Sequence, residues 1–114
     1  MKIFLLIPLL LLFSCADFGG ISEQRLLEGK NIAFERSMGN CLSCHAIEDG
    51  ESPGNIGPPL TALSSRFKNK QQLREQIWDA RRFNPETSMP PFGTNNIISD
   101  DDLDKLVDYL WSLE

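Results

Sequence analysis

Cys41-Leu42-Ser43-Cys44-His45 is the stretch of this sequence that decides the fold. Two thiols three residues apart lie on one face of a helical turn, with the imidazole directly beside them. This separation suits two thioether bonds to the vinyl groups of one haem, with His45 reaching the iron from the same side. Cys-x-x-Cys-His is the attachment pattern of c-type haem. The sequence therefore predicts one covalent haem c, bound through Cys41 and Cys44.

Two other uses of a close thiol pair compete with this interpretation. A thioredoxin-like redox pair has the same spacing, but it expects a βαβ pattern, and no segment shows strand alternation. A structural zinc site needs four ligands, but the chain has one histidine and no second cysteine pair, so zinc would have to recruit carboxylates. A disulfide across so small a loop constrains the unfolded chain very little. Haem attachment is therefore the favoured interpretation.

Met89 is the predicted second ligand of the iron. His45 is the only histidine, so a second histidine ligand within the chain is impossible, and methionine is the common alternative for an electron-transfer haem. Met1 belongs to a predicted signal peptide, and Met38 lies so close to the attachment motif that it belongs on the same haem face as the histidine. Met89 stands in a proline-stiffened loop predicted for 83–93, although a lone methionine also serves as core filling.

Pro58 is the predicted partner of the histidine ring. A metal-bound histidine normally donates its other ring N–H to a carbonyl, which fixes the ring orientation. Glycines and prolines predict a loop over 48–59, and Gly57-Pro58-Pro59-Leu60 follows the motif closely enough to present such a carbonyl. A plain turn is the alternative. We therefore include Pro58 among the predicted haem-binding residues.

Three helices and no strand are predicted around these loops. The first covers 23–37, and Gly29 within it costs up to about 1 kcal/mol against alanine, which suggests a close helix crossing. The second covers 70–80, with Asn69 as its N-cap. The last follows its predicted N-cap, Ser99, and three aspartates in its first turn complement the helix dipole. Its apolar residues recur at helical spacing, at Leu103, Leu106, Val107 and Leu110. The predicted fold class is all-α.

The first residues are predicted to be a lipoprotein signal peptide rather than part of the fold. The apolar run 3–13 is shorter than the roughly 20 residues of a membrane-spanning helix and has the size of a secretory signal. Ser14 before Cys15 resembles the bacterial lipobox, so 1–14 are predicted to be removed and Cys15 to carry the lipid. Cleavage after Ala16 is the alternative, and it leaves a protein without an anchor.

The predicted mature protein is periplasmic and lipid-anchored to a membrane. More than one acyl chain on Cys15 gives stable attachment, and Ala16 in place of aspartate favours the outer membrane by resemblance to lipoprotein sorting rules. Residues 15–22 form a tether and 23–114 one domain, the most that 114 residues allow. The net charge of −5, with no basic stripe, excludes nucleic acid as a partner.

The order of these motifs resembles the class I cytochromes c, and more narrowly the SoxX family of monohaem subunits. The matching stretches are GNCLSCHAI (39–47), GESPGNIGPPL (50–60), QIWDA (76–80), NPETSMPPFG (84–93) and VDYLW (107–111). The Glu-Ser-Pro-Gly-Asn-Ile loop and the Asn-Pro-Glu-Thr before the methionine are the most specific of them. The apparent lipobox departs from the soluble periplasmic members.

This resemblance implies electron transfer within an enzyme complex. It implies a class I cytochrome c fold in which the first and last helices cross, here near 29–34 and 109–111. The implied partner is a SoxA-like cytochrome subunit. The SoxAX complex (L-cysteine S-thiosulfotransferase) couples thiosulfate to a cysteine of SoxY and releases two electrons.

By the same resemblance this chain passes those electrons to a downstream acceptor cytochrome and has no catalytic residue of its own. A free monohaem shuttle without a SoxA partner is the first alternative. The second is a ligand-sensing haem protein with an open sixth iron site, and the third is a dithiol oxidoreductase that uses Cys41 and Cys44 without haem.

Overall fold

A computed structural model describes residues 19–114, so the predicted signal peptide, Cys15 and the start of the predicted tether lie outside the described residues. This part of the chain has four α-helices, two short 3-10 turns and no strand. The helices are α1 (Glu23–Phe34), α2 (Leu63–Arg66), α3 (Lys70–Trp78) and α4 (Asp100–Ser112), and the 3-10 turns are Cys41–Ser43 and Ala80–Arg82. The predicted all-α fold class is confirmed. Between residues 19 and 114 no helix is long and apolar enough to cross a membrane.

Side-chain caps begin the three longer helices. The side-chain oxygens of Ser22, Asn69 and Ser99 each accept the backbone N–H of the third residue after them, at 3.2, 2.9 and 3.2 Å. Each cap satisfies one N–H that the first helical turn leaves without a partner, which is worth about 1 kcal/mol. The caps predicted at Asn69 and Ser99 are confirmed.

The first helix is shorter than the sequence predicted. α1 ends at Phe34 rather than at residue 37, because Glu35 is extended, with φ −69° and ψ 123°. The chain then turns back, and Gly39 N–H donates to the Ile32 carbonyl at 3.0 Å. This reversal directs the chain from the end of α1 toward Cys41.

The second predicted helix, 70–80, also ends early. α3 ends at Trp78 because Asp79 leaves the helix, with φ −157° and ψ 93°. Its carboxylate then accepts Arg81 N–H at 3.1 Å and caps the following 3-10 turn. The short helix α2 was not predicted, since four residues show no helical repeat. Its Leu63 is nonetheless among the most buried side chains, at 1% exposure.

α1 and α4 cross at Gly29. A Cβ on this residue would collide with the Lys105 carbonyl oxygen and would lie 2.6 Å from Tyr109 Cβ. The absent side chain therefore lets the two backbones approach closely, as the sequence suggested. The predicted contact between the first and last helices is confirmed at Gly29 and Tyr109. The largest fully buried side chains are Leu63, Ile98, Leu103 and Leu106.

Ion pairs connect α4 to both other long helices. Asp108 of α4, whose side chain is 15% exposed, pairs with Arg25 of α1 at 2.6 Å and with Lys70 of α3 at 2.9 Å. Burial alone would raise the pKa of Asp108, but hydrogen bonds from Arg25 and Lys70 outweigh it, and the pKa is lowered. The carboxylate of Asp108 thus connects α1, α3 and α4, the three helices that support the loops of the site.

We expect Gly29→Ala to lower the free energy of unfolding by about 1–3 kcal/mol, because overpacking outweighs the helix propensity of alanine. Denaturant unfolding of the haem-loaded protein measures the change. Gly19→Ala is the control, since a Cβ there meets no atom within 4 Å. A Gly29→Ala protein as stable as the wild type would contradict the close crossing.

Candidate haem-attachment site

One tight turn carries both cysteines and the histidine. Asn40 precedes it in the left-handed region, with φ 49° and ψ 37°, a conformation in which asparagine is enriched. Cys44 N–H and His45 N–H both donate to the Cys41 carbonyl, at 3.1 and 2.8 Å. The turn therefore has the helical geometry that the motif spacing predicted. Both thiols and the imidazole branch from this one turn.

Neither thiol of the turn is in a disulfide: Cys41 and Cys44 are both free and half-buried. Burial raises the pKa of the Cys41 thiol to about 11. At neutral pH this group is a protonated thiol, whereas a dithiol oxidoreductase attacks through a thiolate. Among residues 19–114, no three His, Cys, Asp or Glu side chains are placed to hold a metal ion. The structure therefore offers zinc no ligand set.

The loop over 48–59 folds back on the turn and orients the histidine ring. Gly57 N–H donates to the Cys44 carbonyl at 2.8 Å, and His45 Nδ1 lies 2.6 Å from the Pro58 carbonyl oxygen. Since a carbonyl oxygen only accepts, Nδ1 carries the proton, and Nε2 has a free lone pair for a metal. The contact predicted between His45 and Pro58 is present.

Glycine is required where this loop meets the ring. A Cβ on Gly57 would lie 2.6 Å from His45 Nδ1 and 2.7 Å from Nε2, closer than non-bonded atoms approach. Arg66 of α2 holds the loop from outside, donating from Nη1 to the Pro59 carbonyl at 2.9 Å. No pattern in the sequence pointed to this arginine, because the helix that carries it was itself not predicted.

Met89 lies on a separate loop, the one predicted for 83–93, which has neither helix nor strand between 84 and 93. Its N–H donates to Thr87 Oγ1 at 3.2 Å, and its side chain is half-buried against the core. Phe92 is 7% exposed and fixes the end of the loop in the core. The thioether thus comes from a segment well anchored to the domain. Its role as second iron ligand stays a prediction.

Trp78 and Asp79 close the base of this loop. The Trp78 carbonyl accepts Gly93 N–H at 3.0 Å and Thr94 N–H at 3.3 Å. A Cβ on Gly93 would lie 2.8 Å from Trp78 Cε2, so the indole packs directly on the loop backbone. Hydrogen bonds from Arg81 hold the pKa of Asp79 well below its usual range, outweighing burial. The sequence did not single out Asp79, because an aspartate near a helix end is usually a solvated cap.

The residues present fit a haem. Two free thiols, an imidazole with a free Nε2 and a thioether form the donor set of a haem c with His/Met ligation. Several apolar side chains also pack against the core while remaining partly exposed, and so offer apolar surface for a porphyrin face to cover. They include Met38, Leu42, Leu60, Phe67, Trp78 and Met89.

We expect Gly57→Ala to raise the reduction potential by about 40 mV, the equivalent of one hydrogen bond of about 1 kcal/mol. The added methyl group displaces His45 from the Pro58 carbonyl, and the weakened imidazole donor stabilises ferric iron less. Potentiometric titration measures the shift. Pro58→Ala is the control, because it keeps the carbonyl and should leave the potential unchanged. Equal potentials in Gly57→Ala and the wild type would contradict the role of this contact.

Comparison with known proteins agrees with this geometry. The family model for cytochrome c matches residues 26–114. A chain in the crystal structure of SoxXA from P. pantotrophus is similar in fold and sequence, with a TM-score of 0.68 and 28% identity; the match covers 75% of this chain and 79% of that one. No match was found among curated proteins. The attachment turn and these matches together show that the chain belongs to the cytochrome c family, as a SoxX-like class I cytochrome c that transfers electrons through covalent haem c.

Proposed function

We propose that this chain is the monohaem SoxX subunit of a SoxAX complex and carries electrons in thiosulfate oxidation. The observation that supports this most is the match to a chain of SoxXA from P. pantotrophus over 79% of that chain. The sequence holds Cys-x-x-Cys-His once, which provides for one haem. This chain and the matched SoxXA chain therefore agree in fold. The single haem-attachment motif agrees with a subunit that carries one haem.

The four site residues have distinct roles in this proposal. Cys41 and Cys44 would hold the porphyrin covalently, and His45 and Met89 would bind the iron. When bound, the haem would supply a one-electron change between ferric and ferrous iron. The thioether of Met89 would raise the potential at which this change occurs. With two of its own side chains on the iron, the chain would keep sulfur substrates off the metal.

The sulfur chemistry takes place on the partner in this proposal. Coupling thiosulfate to a carrier thiol forms one S–S bond and releases one proton and two electrons. Since one haem iron changes by one electron, this chain would pass the two electrons in succession to a downstream acceptor cytochrome. Once haem takes Cys41 and Cys44, the third cysteine, Cys15, precedes the domain. The domain then has no thiol left for substrate.

We also propose that Cys15 is lipidated and that the protein is periplasmic, anchored at the outer membrane. The support is the signal-like run 3–13 followed by Ser14-Cys15. The tether 15–22, fully extended, spans at most about 28 Å. The anchor would therefore keep the domain close to the membrane surface, and a SoxA partner would be held there with it.

We expect Met89→Ala to abolish the methionine–iron absorption band of the ferric protein and to let the ferrous protein bind carbon monoxide. An empty sixth position accepts the gas, whereas the thioether blocks it. Absorption spectra of the two states measure both effects. Met38→Ala is the matched control and should keep the band. A wild-type protein that binds carbon monoxide freely would instead favour a ligand-sensing function.

We expect the tagged protein, solubilised with detergent from membranes of its host, to co-purify with a SoxA-like polypeptide that carries its own covalent haem. Haem-stained denaturing gels and peptide mass spectrometry identify that partner. In Cys15→Ser the same complex should appear in the soluble fraction. Purification of this chain alone would favour a free shuttle, and membrane retention of Cys15→Ser would refute the lipid anchor.

A further inference from the structure

A side-chain network centred on a buried carboxylate joins the two ends of the loop that carries Met89. It consists of Asp79, Arg81 and Thr94, and we call it the loop clasp. Asp79 and Arg81 lie before the loop, at the end of α3 and in the following 3-10 turn, and Thr94 lies directly after it. Asp79 is buried, whereas Arg81 and Thr94 are exposed.

Every oxygen of the central carboxylate is used. Asp79 Oδ1 accepts Arg81 Nε at 2.8 Å and Arg81 N–H at 3.1 Å. Asp79 Oδ2 accepts Arg81 Nη2 at 2.7 Å and Thr94 Oγ1 at 3.0 Å. Three of these bonds stay within the segment before the loop. The bond from Thr94 is the one that connects the two ends of the loop through side chains.

The charge on Asp79 strengthens that bond. Asp79 is 7% exposed, and the paired Arg81 keeps it ionised. A hydroxyl that donates to a buried carboxylate makes a charge-assisted hydrogen bond, which is stronger than a neutral one. The Trp78 carbonyl reinforces the closure by accepting Gly93 N–H at 3.0 Å. The loop is therefore closed at its base by both backbone and side-chain bonds.

We propose that Asp79 is a positioning residue for the axial methionine: through Thr94 it closes the base of the loop and so keeps Met89 on the haem iron. This inference rests on the proposed ligand role of Met89. A ligand on a closed loop has a high local concentration at the metal, and opening the loop lowers that concentration. The clasp thus sets the fraction of molecules whose sixth iron position is open.

The simpler possibility is that the clasp only stabilises the fold. In that case its loss lowers the free energy of unfolding but leaves the native haem site closed. A positioning role instead changes the native state, because the rate of ligand entry scales with the population that is open. The association rate of carbon monoxide with the ferrous protein, measured without denaturant, separates the two.

Thr94→Val in the haem-loaded protein is the central test, because it removes the bridging hydroxyl with little change in shape and leaves the Asp79–Arg81 pair intact. We expect carbon monoxide to associate about tenfold faster than with the wild type, the effect of one lost hydrogen bond to a charged group. Thr94→Ser keeps the hydroxyl and should restore the wild-type rate. Thr61→Val, at an exposed threonine outside the loop, is the matched control.

Asp79→Asn should change the rate in the same direction, and Thr94→Val keeps the test valid if that protein does not fold. A wild-type rate in Thr94→Val, or a failure of Thr94→Ser to restore it, would overturn the clasp. Met89→Ala distinguishes a failure of the loop clasp from a failure of the ligand assignment for Met89. If Met89→Ala binds carbon monoxide faster than the wild type and Thr94→Val keeps the wild-type rate, only the clasp fails. If Met89→Ala also keeps the wild-type rate, the ligand assignment fails and the clasp fails with it.

Discussion

A single turn of five residues must provide two thioether bonds to the haem and one ligand to its iron, and this constraint organises the rest of the domain. The turn reaches the required shape because Asn40 is left-handed and the Cys41 carbonyl accepts both Cys44 and His45 N–H. The loop after it has no room for a side chain at Gly57, so its backbone can reach the imidazole. The helices of the domain serve mainly to hold this turn and the Met89 loop in fixed positions.

Helix packing and the haem would both contribute to the stability of the folded domain. A domain of this size buries a small core, and such domains usually need a further source of stability. Here α1 and α4 cross at Gly29, and Asp108 pairs with both other long helices. Apolar side chains around the site stay partly exposed, Trp78 and Met89 among them. A covalently attached porphyrin would cover these side chains. The same haem would then carry the electron and stabilise the folded domain.

The sequence predicted those features that depend on neighbouring residues. The attachment turn, the caps at Asn69 and Ser99 and the crossing glycine each follow from a short pattern. The features it missed depend on contacts outside the helical repeat: after the extended Glu35 ends α1, the chain turns back and Gly39 N–H donates to the Ile32 carbonyl. Asp79 ends α3, and its carboxylate accepts a hydrogen bond from Thr94, which lies beyond the Met89 loop. A prediction from local spacing has no access to contacts of this kind.

The assignment as a c-type cytochrome rests on one porphyrin being joined to the two cysteines of the turn. Mass spectrometry of the mature protein from its native host can detect this bond after digestion to the peptide that contains Cys41 and Cys44. We expect this peptide to carry the full mass of one haem, no other peptide to do so, and neither thiol to react with an alkylating reagent. Alkylated or disulfide-bonded cysteines in a peptide without added mass would contradict it.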